Sequence, residues 1–424
     1  MISVNEIEMI IKEQEKRMQN LLNDEKIIKR ELIIPQEKII KGVANIIMGP
    51  RRCGKSVLAF MLANGLKFGY INFDDERLTI QANELNKVIE AIYLLKGDVE
   101  IFVFDEIQEV SGWEKFASRL TAFNRLILTG SNARMLSMEM STYMTGRHID
   151  HTLFPFSFRE FLDYNGVEYN DKTPYTTEEK AKIISMLRRY IDIGGFPLAI
   201  KAGKEFLSDL YRDIVERDVI QRYKIRMTLK LTEMARYILS NSSSEISYSK
   251  LRNIFGIASK HTVQDWLNYL EKAYLIFKIE RFSFKLKKSI IAPKKVYGID
   301  TGLVSLVSLN SDIPKLMENA VAIELIRRKY YWEYNKEINY WKDHSQREVD
   351  FIIRNGNNVF SLIQVTYASK IDEIKDREIN AIINASDELK CNNLFIITWD
   401  YDSTEIFKSK KIIFISLWKW LLER

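Results

Sequence analysis

The chain has 424 residues, with 63 Lys+Arg against 57 Asp+Glu and a formal net charge of +6. A hydrophobic fraction of 46% with 7 Pro and 17 Gly excludes a disordered chain, a collagen-like repeat and long flexible linkers, and the length suffices for several domains. No apolar run approaches the roughly 18 residues of a membrane span, and the opening stretch, with Glu6, Glu8 and Lys12, lacks the apolar core of a signal peptide. Two cysteines, Cys53 and Cys391, cannot build a disulfide framework or a thiolate metal cluster, and 4 His argue against a His-rich metal site. A reducing cytoplasm is the expected setting.

Residues 1–40 are charged and helix-like, with apolar positions at Ile7, Ile10, Ile11, Met18, Leu21 and Leu22. From Asn45 the texture changes to compact apolar runs at Asn45–Met48, Gly69–Phe73, Ile101–Phe104 and Leu126–Leu128, separated by helical patterns. Strands alternating with helices imply βαβ units and a parallel sheet, here over residues 41–165. Within it, Gly49-Pro50-Arg51-Arg52-Cys53-Gly54-Lys55-Ser56, followed by Val57 and a helix to Leu66, fits G-x-x-x-x-G-K-[ST] at every fixed position. The glycines let successive backbone N–H groups face a nucleotide's phosphates at a helix N-terminus. Lys55 is then placed for the β- and γ-phosphates of ATP, and the Ser56 hydroxyl for Mg²⁺. Cys53 occupies a variable position of the loop, which gives it no redox role.

The apolar run Ile101–Phe104 delivers Asp105 and Glu106 to its carboxyl end. Asp105 is the candidate second holder of Mg²⁺, and Glu106 the general base for the attacking water. The next run ends in Thr129-Gly130-Ser131-Asn132, where Asn132 or Ser131 can sense the γ-phosphate.

These stretches, together with Tyr70-Ile71-Asn72-Phe73-Asp74-Asp75-Glu76, Gly146-Arg147 and Phe154-Pro155-Phe156-Ser157-Phe158-Arg159-Glu160-Phe161, resemble the AAA-type ATPase domain of a large archaeal and bacterial family. The resemblance implies a P-loop NTPase fold of the ASCE, AAA-like kind. It also implies an arginine supplied by a neighbouring subunit, for which Arg147 is the first candidate and Arg134 and Arg159 follow. A homo-oligomer is the corresponding expectation, with a hexameric ring as one form.

Helical patterns dominate residues 166–240 and read as a lid or connector, and Asn241–Ser244 reads as a polar loop. A winged helix is expected over 241–300: helices at Ile246–Phe255 and Ser259–Lys272 joined by a Gly256 turn, then a hairpin over Leu275–Lys288. Ser259 is the expected N-cap of the second helix. Val263, Trp266, Leu267 and Leu270 form that helix's apolar face and leave Lys260, His261, Thr262 and Gln264 exposed for DNA. Lys278, Arg281, Lys285, Lys287, Lys288, Lys294 and Lys295 stand against Glu280 as the only acid, a footprint for phosphates.

The resemblance continues through Gly194-Gly195-Phe196-Pro197, Glu318-Asn319-Ala320-Val321 and Glu348-Val349-Asp350-Phe351. Residues 301–424 are similar to PD-(D/E)XK nucleases, a restriction-endonuclease-like α/β fold. Glu318 and Asp350 fit the first two positions of that motif. Gln364-Val365-Thr366 replaces the third, losing one carboxylate and the lysine, and Lys370 is a lysine that could reach back. A structural or DNA-binding relic is the expectation, with a metal-dependent endonuclease as an alternative. The leading functional expectation is an Mg²⁺-dependent ATPase that binds and remodels DNA. Its rival is an ATP-dependent oligomerising switch in signalling or antiviral defence that recognises a protein or foreign nucleic acid.

Overall fold

A computed structural model describes residues 2–131, 146–169, 175–308 and 312–423. The chain divides into two units, Met1–Pro155 and Phe156–Arg424. In the first, β1 (Ala44–Met48), β2 (Phe68–Asn72), β3 (Ile101–Asp105), β4 (Arg125–Gly130) and β5 (His148–Thr152) form a parallel sheet of order β2-β3-β4-β1-β5. β1 and β3 are buried at every position, as expected of strands covered on both faces. Insertion of β4 between β1 and β3 sets the carboxyl ends of all three side by side, with Met48 opposite Gly130 and Phe104 opposite Leu128.

Among its described residues this unit also holds the α-helices α1 (Val4–Asp24), α2 (Lys55–Ala63), α3 (Leu85–Lys96) and α4 (Trp113–Thr121). Ser3 and Glu6 cap α1 reciprocally. Buried Ile7, Ile10 and Ile11 form the inner face of α1, which packs on α3 and β2. Gln14 then closes the sheet edge: its Nε2 donates to the Asn72 carbonyl at 3.0 Å, and the Asn72 N–H donates to its Oε1 at 2.8 Å. An exposed strand edge is thereby paired off, so α1 is an integral layer of this unit.

The second unit opens with helices at Phe158–Asn165, Thr177–Ile193, Pro197–Asp213 and Thr228–Ser240, the third continuing into a π-helical stretch, Ile214–Gln221. Its sheet is mixed and nine-stranded: β6 (Ser244–Ile246), β7 (Ile276–Arg281), β8 (Lys294–Gly298), β9 (Glu337–Lys342), β10 (Glu348–Asn355), β11 (Asn358–Val365), β12 (Leu394–Thr398), β13 (Ser403–Phe407) and β14 (Lys410–Ser416). The order is β13-β14-β12-β11-β10-β9-β7-β8-β6. One sheet therefore draws strands from both sides of residue 300, where the sequence suggested a boundary. The link is the parallel pairing of β7 with β9 at Glu280–Asn339 and Arg281–Tyr340.

The two helices expected before β7 lie at Tyr248–Ile254 and Lys260–Lys272, and the Ser259 hydroxyl caps the second by accepting from the His261 N–H at 3.1 Å. The hairpin differs from expectation. β7 ends at Arg281, a short helix spans Leu286–Ile291, and β8 is the returning strand. The Lys285 carbonyl starts that helix by accepting from the Lys288 and Ser289 amides. The expected polar loop differs as well, because Ser242 and Ser243 are buried. The Ser242 hydroxyl donates to Asn319 Oδ1 at 2.6 Å, and Asn319 in turn bonds both the N–H and the carbonyl of Gly298. Buried polar groups need partners, and this serine supplies one for the fully buried Asn319.

Arg159, the third candidate for a subunit-bridging arginine, is only 2% exposed and is held inside this unit. Its Nη2 lies 3.0 Å from Glu324 Oε1, and its Nη1 donates to the Leu421 and Glu423 carbonyls. Arg327 and Arg328, on the helix Ile313–Tyr331, bond the same carboxylate. Burial opposes the charge on Glu324, but Arg327, Arg328 and Arg159 outweigh it and hold its carboxyl at about 2, against an ordinary 4.5. The knot's stabilisation is therefore complete above the unfolded-state value and is lost as the pH falls through the folded one. Glu324→Gln is expected to cost about 3 kcal/mol at pH 7, because it strands buried guanidinium groups. Chemical denaturation across pH should show the gap to the parent protein closing between about pH 4.5 and 2.

Candidate nucleotide site and a lysine-centred carboxylate cluster

The loop between β1 and α2 has a backbone that only glycine permits at its first position. Gly49 has φ 150°, and a β-carbon there would lie 2.1 Å from the Leu153 carbonyl oxygen. Gly54, at φ 103°, is the N-cap of α2. Arg30, which the sequence reading missed, ties the loop down by donating to the Cys53 carbonyl at 2.9 Å and the Phe154 carbonyl at 2.6 Å. Cys53 is buried, its thiol is pushed up by burial, and it donates to the Leu153 carbonyl; this is a packing role. Arg51 is half-buried, Arg52 is exposed with φ 66°, and Val57 falls in the first turn of α2. Lys55 is 4% exposed, donates to the Pro50 carbonyl at 3.1 Å and stands 3.6 Å from Glu106 Oε1.

Asp105, at the end of β3, is completely buried and accepts three hydroxyls. Ser56 Oγ donates to its Oδ1 at 3.0 Å, Thr129 Oγ1 donates to the same oxygen, and Tyr70 OH donates to Oδ2 at 2.8 Å. Thr129 also accepts from the Glu106 N–H at 3.0 Å. That bond holds Glu106 in a left-handed turn, φ 51°, a conformation that non-glycine residues adopt at a cost and that concentrates at functional sites. Glu106 Oε2 accepts from the Ser131 N–H at 3.3 Å and from Gln108 Nε2. Beside it, the Ser131 hydroxyl is buried without a partner. Burial, then the neighbouring Glu106 charge, push the Asp105 carboxyl up, while the three hydroxyls restrain it. Burial also works against Glu106, but Lys55, Gln108 and Arg51 outweigh it and keep that carboxyl below its ordinary range.

These residues fit a nucleotide with Mg²⁺. Ser56 and Asp105 already share a hydrogen bond, the hard oxygen pair such a cation requires. Lys55 lies over the loop, and the orphaned Ser131 hydroxyl borders the carboxylate pair. Asn132 and Arg134 lie outside the described residues. Arg147 is exposed just ahead of β5, and its carbonyl accepts from the Ala44 N–H at 3.0 Å. It therefore sits at the amino end of the sheet, one strand length from the loop of its own chain.

The second unit brings Glu318, Asp350 and Gln364 together around a residue that the sequence reading assigned elsewhere. Lys295 is 2% exposed, and its Nζ lies 2.8 Å from Glu318 Oε1, 2.6 Å from Glu348 Oε1 and 3.0 Å from Asp350 Oδ1. Tyr297 donates to Glu318 Oε1 at 2.7 Å, and Asp350 Oδ2 accepts from Gln364 Nε2 at 2.7 Å and the Val365 N–H at 3.0 Å. Burial and Asp350 push the Glu318 carboxyl up to about 7 against the pull of Lys295, and burial likewise raises Asp350. Lys295 with Tyr297, and Glu348 with Asp350, are i, i+2 pairs on β8 and β10. That period-2 signal was open to a sequence reader only once both strands were recognised. Lys370 is exposed.

Lys295 is thus removed from the expected DNA-contacting set. Lys278 pairs with Glu271 at 3.0 Å and Lys294 with Glu280 at 2.6 Å, while Arg281 donates to the Lys342 carbonyl. Lys285, Lys287 and Lys288 are exposed and, with Phe284, Trp341 and His344, line a groove of about 700 Å³. Lys260, His261 and Gln264 are exposed and Thr262 is half-buried at the start of their helix.

Comparison with known families matches residues 41–162 to an AAA domain, residues 184–313 to a domain of unknown function (DUF8612) and residues 315–420 to another (DUF4143). Among solved structures, the replication initiator DnaA bound to AMPPCP and single-stranded DNA is 17% identical with a TM-score of 0.25, over 56% of this chain and 85% of that one. Cdc6p from Pyrobaculum aerophilum is 13% identical with a TM-score of 0.25, over 76% of this chain and 95% of that one. Overlays at that level carry no argument about function. Among sequences, a Haemophilus influenzae protein described as uncharacterized is 27% identical over 89% of this chain and 94% of its own length. The Methanocaldococcus jannaschii protein MJ1544, also described as uncharacterized, is 34% identical over 94% of this chain and 91% of its own length. By that extent of identity the chain belongs to the MJ1544 family, and its residues 41–162 are a P-loop AAA domain.

Proposed function

We propose that the chain is an Mg²⁺-dependent ATPase whose turnover is coupled to DNA contact. The observation that carries the reading is the joined placement of Ser56, Asp105 and Glu106 at the P-loop, with Lys55 3.6 Å from Glu106. Mg²⁺, held by Ser56 and Asp105, supplies charge neutralisation for the phosphates. Lys55 and the amides at the start of α2 bind the phosphates. Glu106, kept ionised by Lys55 and Gln108 and aimed by its left-handed turn, takes the proton of the attacking water. Ser131 offers a free hydroxyl beside it to the phosphate being transferred. Arg147, remote from its own loop, is the candidate for completing a neighbour's site in a homo-oligomer.

Exposed Lys285, Lys287 and Lys288, next to Phe284 (60% exposed), support DNA as the second ligand, with Lys260, His261, Thr262 and Gln264 at the start of the helix Lys260–Lys272. Such a surface neutralises phosphates and offers a ring for base stacking.

In a coupled phosphate-release assay, Glu106→Gln is expected to lower turnover by about 100-fold or more while leaving ATP binding intact. Lys55→Ala should lower both, and undiminished turnover in Glu106→Gln contradicts the assignment. For DNA, the triple change Lys285→Glu, Lys287→Glu and Lys288→Glu should weaken binding by at least tenfold in fluorescence anisotropy. It should also flatten the dependence on salt by up to about one unit of slope per lysine. Unchanged affinity and slope remove this face from the proposal.

A further inference from the structure

We infer that Lys295 is a built-in cation, an ammonium group that occupies the centre of a carboxylate site which otherwise takes a divalent metal ion. An ammonium has three donors and no acceptor. Lys295 Nζ donates to Glu318 Oε1 at 2.8 Å and to Asp350 Oδ1 at 3.0 Å, and it forms an ion pair with Glu348 Oε1 at 2.6 Å.

The shell around it is built as metal shells are. Each carboxylate is oriented by a further partner: Tyr297 donates to Glu318, Lys342 lies 3.2 Å from Glu348 Oε2, and Gln364 Nε2 and the Val365 amide donate to Asp350. Gln364 is 8% exposed, and its amide oxygen is buried with no hydrogen-bond partner. That makes it a neutral oxygen beside three anionic ones. Among the described residues, no group of three or more His, Cys, Asp and Glu side chains is placed to hold a metal directly.

Size decides which ion the vacated centre prefers. Oxygens 2.6–3.0 Å from the nitrogen stand close to the roughly 2.3–2.6 Å of Ca²⁺ coordination and well outside the 2.0–2.1 Å of Mg²⁺. Lys295→Ala is therefore expected to create a site that favours Ca²⁺ over Mg²⁺ and accepts Mn²⁺ as a spectroscopic probe.

The test uses the full chain without nucleotide. Free Mn²⁺ is titrated by electron paramagnetic resonance and competed with Ca²⁺, and thermal unfolding is followed with and without Ca²⁺. Lys295→Ala should gain one Mn²⁺ per chain, bound at least tenfold more tightly than by the parent protein, displaced by Ca²⁺ and lost again on adding Asp350→Asn. Lys295→Met, which fills the space without a charge, should gain none. Should Lys295→Ala be unstable without metal, Ca²⁺ should raise its unfolding temperature and leave that of the parent unchanged. No gain of Mn²⁺, or an unstable variant that Ca²⁺ does not rescue, overturns the inference. Cleavage of DNA by the parent protein with Mn²⁺, abolished by Lys295→Ala, overturns it as well, because Lys295 would then be catalytic.

Discussion

A single buried carboxylate, Asp105, holds the nucleotide unit's working end together. Its two oxygens accept from Ser56 on α2, Thr129 on β4 and Tyr70 on β2, so four elements, β3 included, converge on one charge. A carboxylate without water is costly unless its lone pairs are filled. Here the filling groups are three hydroxyls, none of which can leave without exposing that cost. The arrangement depends on the strand order, because only with β4 between β1 and β3 do the loop, the carboxylate pair and the Thr129–Ser131 turn share one edge. Glu106 inherits its position from the same network through Thr129, which accepts from its N–H. Fold and chemistry thus meet in one hydroxyl.

The second unit answers the same electrostatic problem with the opposite centre. Glu318, Glu348 and Asp350 are gathered by β8, β10 and the helix Ile313–Tyr331, and an ammonium sits among them. β8 and β10 are not neighbours in the sheet, yet their Tyr297 and Phe351 rings lie 5.7 Å apart. Elsewhere in the unit Glu324 plays the reverse role, one carboxylate among Arg159, Arg327 and Arg328. Both knots tie together residues distant in sequence, Lys295 with its three carboxylates and Glu324 with Arg159, although Arg327 and Arg328 are the i+3 and i+4 neighbours of Glu324.

That difference accounts for what could be read from the sequence. The P-loop motif was readable because its residues are contiguous: Gly49, Gly54, Lys55 and Ser56 fall in one loop and the first turn of α2. Asp105 and Glu106 were legible because a buried strand has only one end at which to present them. Arg30, Tyr70 and Thr129 gained no role from the sequence, because each acts through a partner between 23 and 35 residues away. Lys295 misled most. Counted with its neighbours it swells a basic patch, yet its three acid partners lie between 23 and 55 residues further on and neutralise it. Composition sums charge along the chain, whereas the fold decides which charges meet.

On the proposed reading, Asp105 and Ser56 form one cation site that serves bound nucleotide. The most direct measurement is Mn²⁺ binding by electron paramagnetic resonance, with and without ATP, in the parent protein and in Asp105→Asn. One Mn²⁺ per chain is expected, its tight binding requiring ATP, with at least a tenfold weakening in Asp105→Asn while metal-free nucleotide affinity is kept. Equal Mn²⁺ affinity in the two proteins, or binding indifferent to ATP, would contradict it.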